Sequence, residues 1–471
     1  MKMMDSCLSI FQLVWNWIVA TWQRFFGPVL TMDDSGIGVR IGSKIAEGGF
    51  SVIFHALDTS SDANQNRKYV LKRIRCQDGE SRSGCIKESK VHYAIMRQQK
   101  ESQRHPANSV IAAGGGGMGG IAGSTEETIR NSLSGHIMPL LGMTFAENNT
   151  ICYMLFPYLP NSLRREVDRR VFEPMDEVLG NGKNKNGSAM SLTQKNQKIK
   201  DALRMPPWSE TTVLRWFEQL CDAVILMHDA GYTHRDIKLD NVMLHPGAPL
   251  DIHSNIYRGA GGSDDSRCGV VLMDYGSAGP ITRPLLSRRD VLEISDEAAQ
   301  HTTISYRPPE LFAGELRATE SNNRATVTKD VDGDNVFDQE SVLDYRKVDS
   351  WMLGCTLFAI LFGASPGECE FSRSTGQLLI VEPSHNKMLG QMPPWPDEET
   401  PSSQWYSSDT KELLAWILTK DRGYRPTVKQ IRRRVRELLS QKPTLFDGNS
   451  NGMLDVESQV VDMTFASKNV M

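Results

Sequence analysis

Apolar and polar positions alternate along this chain with two recurring periods. Runs at residues 39–49, 51–58 and 69–75 predict three strands, and 86–99, with apolar positions three and four apart, predict a helix. Residues 136–145 and 150–159 predict an antiparallel strand pair. After residue 208 the period becomes helical. Residues 211–231 keep apolar side chains at three-to-four spacing and stop at Gly231, whereas 348–366 are apolar nearly all round, which predicts a buried helix.

Four biased stretches break this pattern: 106–135, with its run of glycines; 176–206, which carry five lysines between 183 and 200; and 246–268 and 316–345, polar and rich in Gly or Asp. They are expected to be flexible surface loops. What remains of residues 37–440 then forms one two-lobed domain of class α+β, and 441–471 read as a flexible C-terminal tail. Asp330, Asp332 and Asp334 do not make a calcium loop, because such a loop needs Gly at its sixth position and Glu at its twelfth, where Ser341 stands.

Residues 1–36 carry a different signal. The stretch 8–30 holds three tryptophans, three phenylalanines and a single charge, Arg24, and Gly27-Pro28 would end a helix there. A helix over 8–26 would be about 28 Å long with a narrow polar stripe of Ser9, Gln12, Asn16 and Gln23. Three readings stand: an in-plane membrane anchor with Cys7 as an acylation site, a short transmembrane span, or a helix packed on the protein's own body. The membrane anchor is the expectation.

Composition narrows the class. With 39% apolar residues among 471, a large core is expected and global disorder is excluded. Lys and Arg number 53 against 57 Asp and Glu, a net charge of −4, so no nucleic-acid partner is expected. The eight cysteines are scattered with no CxxC pair, the signature of buried thiols in a reducing compartment.

The chemistry lies in ordered motifs. Ile45, Ala46, Glu47, Gly48, Gly49, Phe50, Ser51, Val52 and Ile53 form a glycine-containing hairpin whose backbone N–H groups can approach phosphate oxygens. The next strand carries Val70 and, inside an apolar run, Lys72, which taken by itself is either a snorkelling surface lysine or one that needs an acceptor such as Glu88 on the following helix. Residues 234–241 read His-Arg-Asp-Ile-Lys-Leu-Asp-Asn. Such a loop presents Asp236 to orient a hydroxyl, Lys238 to neutralise a moving phosphoryl group and Asn241 to hold a metal. An aspartate, Asp274, ends the apolar run 270–273 in an Asp-Tyr-Gly triplet, and residues 303–310 close with Pro309-Glu310, for which Arg425 is the expected ion-pair partner. His234 is expected to bond backbone rather than act in acid–base chemistry. Ser287, Ser295 and Thr302 are candidate phosphorylation sites.

In this order the motifs resemble those of a eukaryotic protein kinase, over residues 40–440 less the insertions. Lys238 and Thr303 look like the serine/threonine type. The hairpin at 46–51, the segment Phe156-Pro157-Tyr158 and residues 291–312 are similar to the Numb-associated kinase family, nearest to its small myristoylated and palmitoylated branch. From that branch the chain departs in its long aromatic N-terminal segment and its four insertions. The resemblance implies a bilobal kinase fold, with an N-lobe antiparallel sheet plus one helix and a helical C-lobe, and an extra helix over 291–300 beside the substrate site. It implies ATP under residues 45–53, with the adenine between Val70 and Met243, Phe156 as gatekeeper, and the backbone of Pro157, Tyr158 and Leu159 bonding the adenine edge. Lys72, oriented by Glu88, would hold phosphates; Asp274 and Asn241 would bind Mg²⁺; Asp236 would orient the acceptor hydroxyl and Lys238 would stabilise the phosphoryl group in transfer. Expected partners are Ser/Thr-bearing protein substrates and a membrane surface met through residues 8–26. The chain is expected to be a monomer, cytoplasmic and membrane-associated, at the Golgi or another endomembrane, with a link to membrane trafficking.

Overall fold

The computed structural model describes residues 28–48, 51–59, 68–104, 125–180, 191–246, 268–312, 327–329, 335–337, 342–390 and 392–441. Six strands build the N-terminal lobe: β1 (Val29–Thr31), β2 (Gly38–Glu47), β3 (Ser51–Asp58), β4 (Lys68–Arg75), β5 (Gly142–Ala146) and β6 (Ile151–Pro157). They form one antiparallel sheet in the order β1-β2-β3-β4-β6-β5. Helix α1 (Gly79–Arg104) crosses from this sheet to the other lobe, placing Val91, Ile95 and Met96 in the large core there.

The sheet's two edges meet. After β1, Asp33 N–H donates to the Met143 carbonyl at 3.2 Å, and the Asp34 carboxylate accepts from Met143 N–H at 2.9 Å. Met32 is fully buried against Gly142, where a Cβ would lie 2.7 Å from the Met32 Cβ. Residues 28–36 therefore belong to the lobe, and its boundary lies before residue 37. A three-residue strand is too short to leave a period in the sequence.

The C-terminal lobe is built around α8 (Tyr345–Phe362), buried over almost its whole length and ended by Gly363 at φ 114°, a left-handed conformation suited to glycine. Around it pack α6 (Glu210–Asp229), capped by Ser209, then α9 (Ser408–Ile417) and α10 (Val428–Ser440), the last opened by a capping box of Thr427 and Gln430. Beneath the N-lobe, β8 (Val242–Pro246) is the centre of a three-stranded sheet, pairing with β9 (Cys268–Leu272) on one side and with the short β7 (Asn161–Ser162) on the other. Six cysteines among the described residues are free and buried, as expected.

The insertions are smaller than the composition implies. Of 106–135, residues Thr125–Ser134 form a helix, α2, whose Ile129 and Leu133 are buried one turn apart. Of 176–206, α4 (Glu173–Gly180) takes the beginning, after α3 (Leu163–Val167), and α5 (Leu192–Ala202) takes much of the rest. Ile199 and Leu203 form a satellite core with Met175, closed by Trp405, whose Nε1 donates to the Leu203 carbonyl at 2.7 Å. Two apolar anchors among many Lys, Asn and Gln suffice once a neighbouring surface covers them. Of 316–345, residues Val342–Asp344 pair with Thr282–Pro284, and Tyr345 is buried at the start of α8. Among the described residues no helix is long and apolar enough to cross a membrane; the aromatic segment 8–26 and the tail 442–471 lie outside them.

Candidate active site

Lys72 lies on β4, where it pairs with Ile53 of β3 on one side and Met154 of β6 on the other. Its Nζ is 2.8 Å from Glu88 Oε1 and 2.9 Å from Asp274 Oδ1. Strand, helix and Asp-Tyr-Gly triplet thus converge on one ammonium. Burial alone would lower the Lys72 pKa, but the two carboxylates more than offset it and hold the value above the usual lysine range. Burial likewise works to raise Asp274; the neighbouring Lys72 outweighs it, so this carboxyl is held below its ordinary value. For Glu88 burial wins, and its pKa is raised.

Across the cleft, the loop from His234 to Asn241 hangs from the buried helix α8. Asp349, fully buried, accepts from the backbone N–H of His234 at 2.9 Å and of Arg235 at 2.8 Å, and lies 2.8 Å from His228 Nε2. Arg235 and Asp274 both take left-handed backbones, φ 68° and 65°, so each of these two turns carries strain. Asp236 Oδ1 accepts from the Thr303 hydroxyl at 2.8 Å, to which Lys238 Nζ also donates at 2.8 Å. Lys238 is in turn 2.8 Å from Asp236 Oδ2. Asn241 commits its amide nitrogen to the Asp236 carbonyl at 2.8 Å. An aspartate, a lysine and a hydroxyl therefore already occupy hydrogen-bonding range of one another.

Val70 pairs with Phe156, and Tyr69 with Pro157, between β4 and β6; Tyr158 N–H donates to the Lys68 carbonyl at 3.3 Å. Phe156 and Met243 pack against the same cluster, with Leu159 buried in it. Ile45, Ala46 and Glu47 end β2, Ser51, Val52 and Ile53 begin β3, and Gly48 N–H donates to the Ser51 carbonyl at 2.8 Å. Gly49 and Phe50 lie outside the described residues.

Several participants left no motif in the sequence. Asp349 and its partner His228 are two: a lone aspartate in an apolar helix is the signal that points to the first. His92 is another. Rings meet in series, edge-on from His234 to Tyr275 (5.6 Å between centroids) and tilted from Tyr275 to His92 (4.4 Å) and from His92 to Phe156 (5.4 Å), linking the catalytic loop through α1 to the hinge strand. His234 Nε2 also lies 3.1 Å from the Met273 carbonyl, a backbone partner as expected. Of the candidate phosphorylation sites, Thr302 is buried and Ser287 caps α7 (Arg288–His301), accepting from Asp290 N–H at 3.2 Å.

The His92 ring is fully enclosed. Its Nδ1 is 3.2 Å from the Met138 carbonyl, so this nitrogen carries the proton of the neutral ring, and Nε2 has no partner among the described residues. Burial pushes the pKa down to about 3. The unfolded chain takes up a proton below pH 6.5 and the folded one does not, so stability is full above that pH and falls as pH drops toward 3. His92→Phe keeps an aromatic ring in contact with Tyr275 and Phe156 and removes this pH dependence. Between pH 7 and 4 the variant should lose less stability than the parent, by about 3 kcal/mol at pH 4. Urea midpoints across this range check it; parallel pH profiles would refute it.

With this geometry in place, comparison with known proteins is decisive. The protein kinase domain family matches residues 185–435, more than half of the 471 residues. The chain belongs to the protein kinase family. This kinase is 23% identical over 431 residues to a probable serine/threonine-protein kinase of Dictyostelium discoideum, covering 90% of the chain but 27% of that protein. It is 27% identical over 386 residues to human serine/threonine-protein kinase 16, covering 82% of the chain and 85% of the relative, and 28% identical over 221 residues to the rat protein of that name, covering 47% and 53%. The kinase thus spans about a quarter of the Dictyostelium relative's length and about half of the rat one.

Proposed function

We propose that this chain is a serine/threonine protein kinase that transfers the γ-phosphoryl group of Mg·ATP to protein hydroxyls, and that it works at a membrane surface. One observation carries the catalytic part: Asp236 and Lys238 converge on the hydroxyl of Thr303 while Lys72 bridges Glu88 and Asp274. The residues suit the nucleotide and the cation. Lys72, kept charged by its two carboxylates, holds phosphate oxygens, with the hairpin 45–53 above them. Asn241 spends its amide nitrogen on Asp236, which leaves its carbonyl oxygen, with the Asp274 carboxylate, as a hard donor set for Mg²⁺. When bound, Mg²⁺ neutralises and orients the phosphates.

Asp236 then aligns the acceptor hydroxyl and receives its proton, and the Lys238 ammonium balances charge on the phosphoryl group in transit. Little covalent chemistry is asked of the protein, so positioning and charge supply most of the rate. Val70 and Met243 sandwich the adenine, Phe156 limits the depth of its pocket, and the backbone at 157–159 reads its edge. The relatives named serine/threonine-protein kinase support the acceptor type. The hairpin, the hinge residues and helix α7 ahead of Pro309-Glu310 support membership of the Numb-associated family.

Incubation of the full chain with labelled Mg·ATP and a generic basic protein should place label on serine and threonine, and chelation of Mg²⁺ should stop it. A folded, ATP-binding chain that transfers nothing would overturn the catalytic reading. The membrane reading, with its endomembrane setting, rests on the single charge and dense aromatics of 8–30. A fluorescent reporter fused to residues 1–31 should concentrate on membranes; a diffuse signal would end that reading.

A further inference from the structure

Arg235 stands beside the catalytic aspartate and is buried. Its Nη2 donates to the Pro280 carbonyl at 2.7 Å, its Nε to the Thr233 hydroxyl at 3.3 Å, and its guanidinium lies 3.6 Å over the Tyr345 ring. Gly279 makes room for it, since a Cβ there would stand 2.4 Å from the Arg235 Cζ. The remaining nitrogen, Nη1, reaches Glu297 Oε1 of α7 at 3.0 Å. The other oxygen of Glu297 accepts from Arg283, whose second nitrogen binds Glu293 at 3.0 Å. Lys87, the neighbour of Glu88 on α1, feels the charges of both Arg235 and Glu297. One carboxylate therefore sits among cations from the catalytic loop, the segment after Asp-Tyr-Gly and the helix that orients Lys72.

Kinase activation segments are ordered when a phosphate on the segment pairs with arginines. Here the arginines are already engaged, and both acceptor oxygens of the engaging group are filled. Five of the segment's hydroxyls are engaged or enclosed as well: Ser277 donates to the His301 carbonyl at 2.9 Å, Ser287 caps α7, Thr302 and Ser305 are buried and Thr303 is bonded to Asp236; Thr282 and Ser295 are half-buried. We propose that Glu297 is a positioning residue that takes the place of a phosphate, clamping the activation segment to the catalytic loop so that phosphotransfer needs no phosphorylation of residues 277–305. This rests on the kinase reading above. Glu297 touches no reacting atom; it acts through Arg235 on the backbone that carries Asp236.

The test uses the full chain in two arms. In the first, the unmodified protein is stripped by a broad phosphatase until its mass shows no phosphate, and initial rates are taken before any turnover can restore it. The stripped protein should keep its rate within about twofold of the untreated one, the range of an unchanged kcat. In the second, Glu297→Gln should lower kcat between about 10- and 100-fold with little change in KM for ATP, as a misplaced catalytic group does, and Glu297→Asp should recover part of the loss. Glu293→Gln, which touches Arg283 but not Arg235, should stay near the parent. An inactive stripped protein, or a Glu297→Gln variant with the parent's kcat, overturns the proposal while the kinase reading stands. A parent that transfers no phosphate in either state overturns both. The phosphatase arm decides the matter even where the Gln variant does not fold.

Discussion

Asp236→Asn is expected to lower kcat by about 10²- to 10⁴-fold, the range for removing a positioned proton acceptor, with little change in nucleotide affinity. The geometry separates the two effects. Asp236 Oδ1 takes the hydroxyl of Thr303 and Oδ2 takes Lys238, whereas the phosphate-directed ammonium of Lys72 is held by Glu88 and Asp274 on the opposite wall. Asparagine is nearly isosteric and its one carbonyl oxygen still accepts from Thr303, while the bond to Lys238 is given up, a local loss that leaves the fold in place. What it loses is a carboxylate able to receive the proton of an acceptor hydroxyl. Single-turnover transfer from labelled Mg·ATP, alongside thermal stabilisation by the nucleotide, measures both quantities. A variant within tenfold of the parent's rate would mean that Asp236 is not the group that takes the proton.

How much of this site the sequence exposes depends on how local its parts are. Asp236, Lys238 and Asn241 lie within one short loop, and their spacing alone points to phosphoryl transfer. Lys72 and Glu88 are legible only in company with that loop, because a lysine in an apolar strand can equally snorkel to the surface and its spacing alone does not choose. Glu310 and Arg425 are legible as a pair only through the resemblance, because Arg425 stands among Lys420, Asp421 and Arg422 and nothing local sets it apart. The series of rings from His234 through Tyr275 and His92 to Phe156 is not legible, because it joins four separate segments and nothing in the sequence pairs one ring with the next. Glu297 is hidden for the opposite reason. It reads as an ordinary helix-surface carboxylate, and only the fold brings Arg235 and Arg283 to it. Helices α2 and α5 were concealed by their neighbours' composition, since glycine runs and lysines outweighed the few apolar anchors that dock them.

Arg425→Met should give the largest loss of stability, about 3–5 kcal/mol, the usual consequence of removing one partner of a buried ion pair. Every donor of this guanidinium is used. Nη1 reaches Glu310 Oε1 at 2.6 Å and the Lys347 carbonyl at 2.9 Å; Nη2 reaches Glu310 Oε2 and the Lys420 carbonyl, each at 2.9 Å; Nε reaches the Thr419 carbonyl at 2.9 Å. The charge also lies 4.9 Å from the Trp351 ring centroid. Methionine fills much of the volume but abandons three carbonyls and a carboxylate that is only 6% exposed. Lysine is no remedy, because a single ammonium cannot reproduce a planar fork that binds both carboxylate oxygens. The paired change Glu310→Leu with Arg425→Met should therefore be less damaging than Arg425→Met alone, since it removes the stranded charge as well. Urea unfolding of the three proteins tests this ordering. If the double variant were the least stable, the pair would be contributing net attraction beyond its desolvation cost. Glu310 also anchors the end of the segment that carries Thr303, so Arg425→Met should loosen that hydroxyl from Asp236 before the domain unfolds, with activity falling at lower urea than the loss of helix.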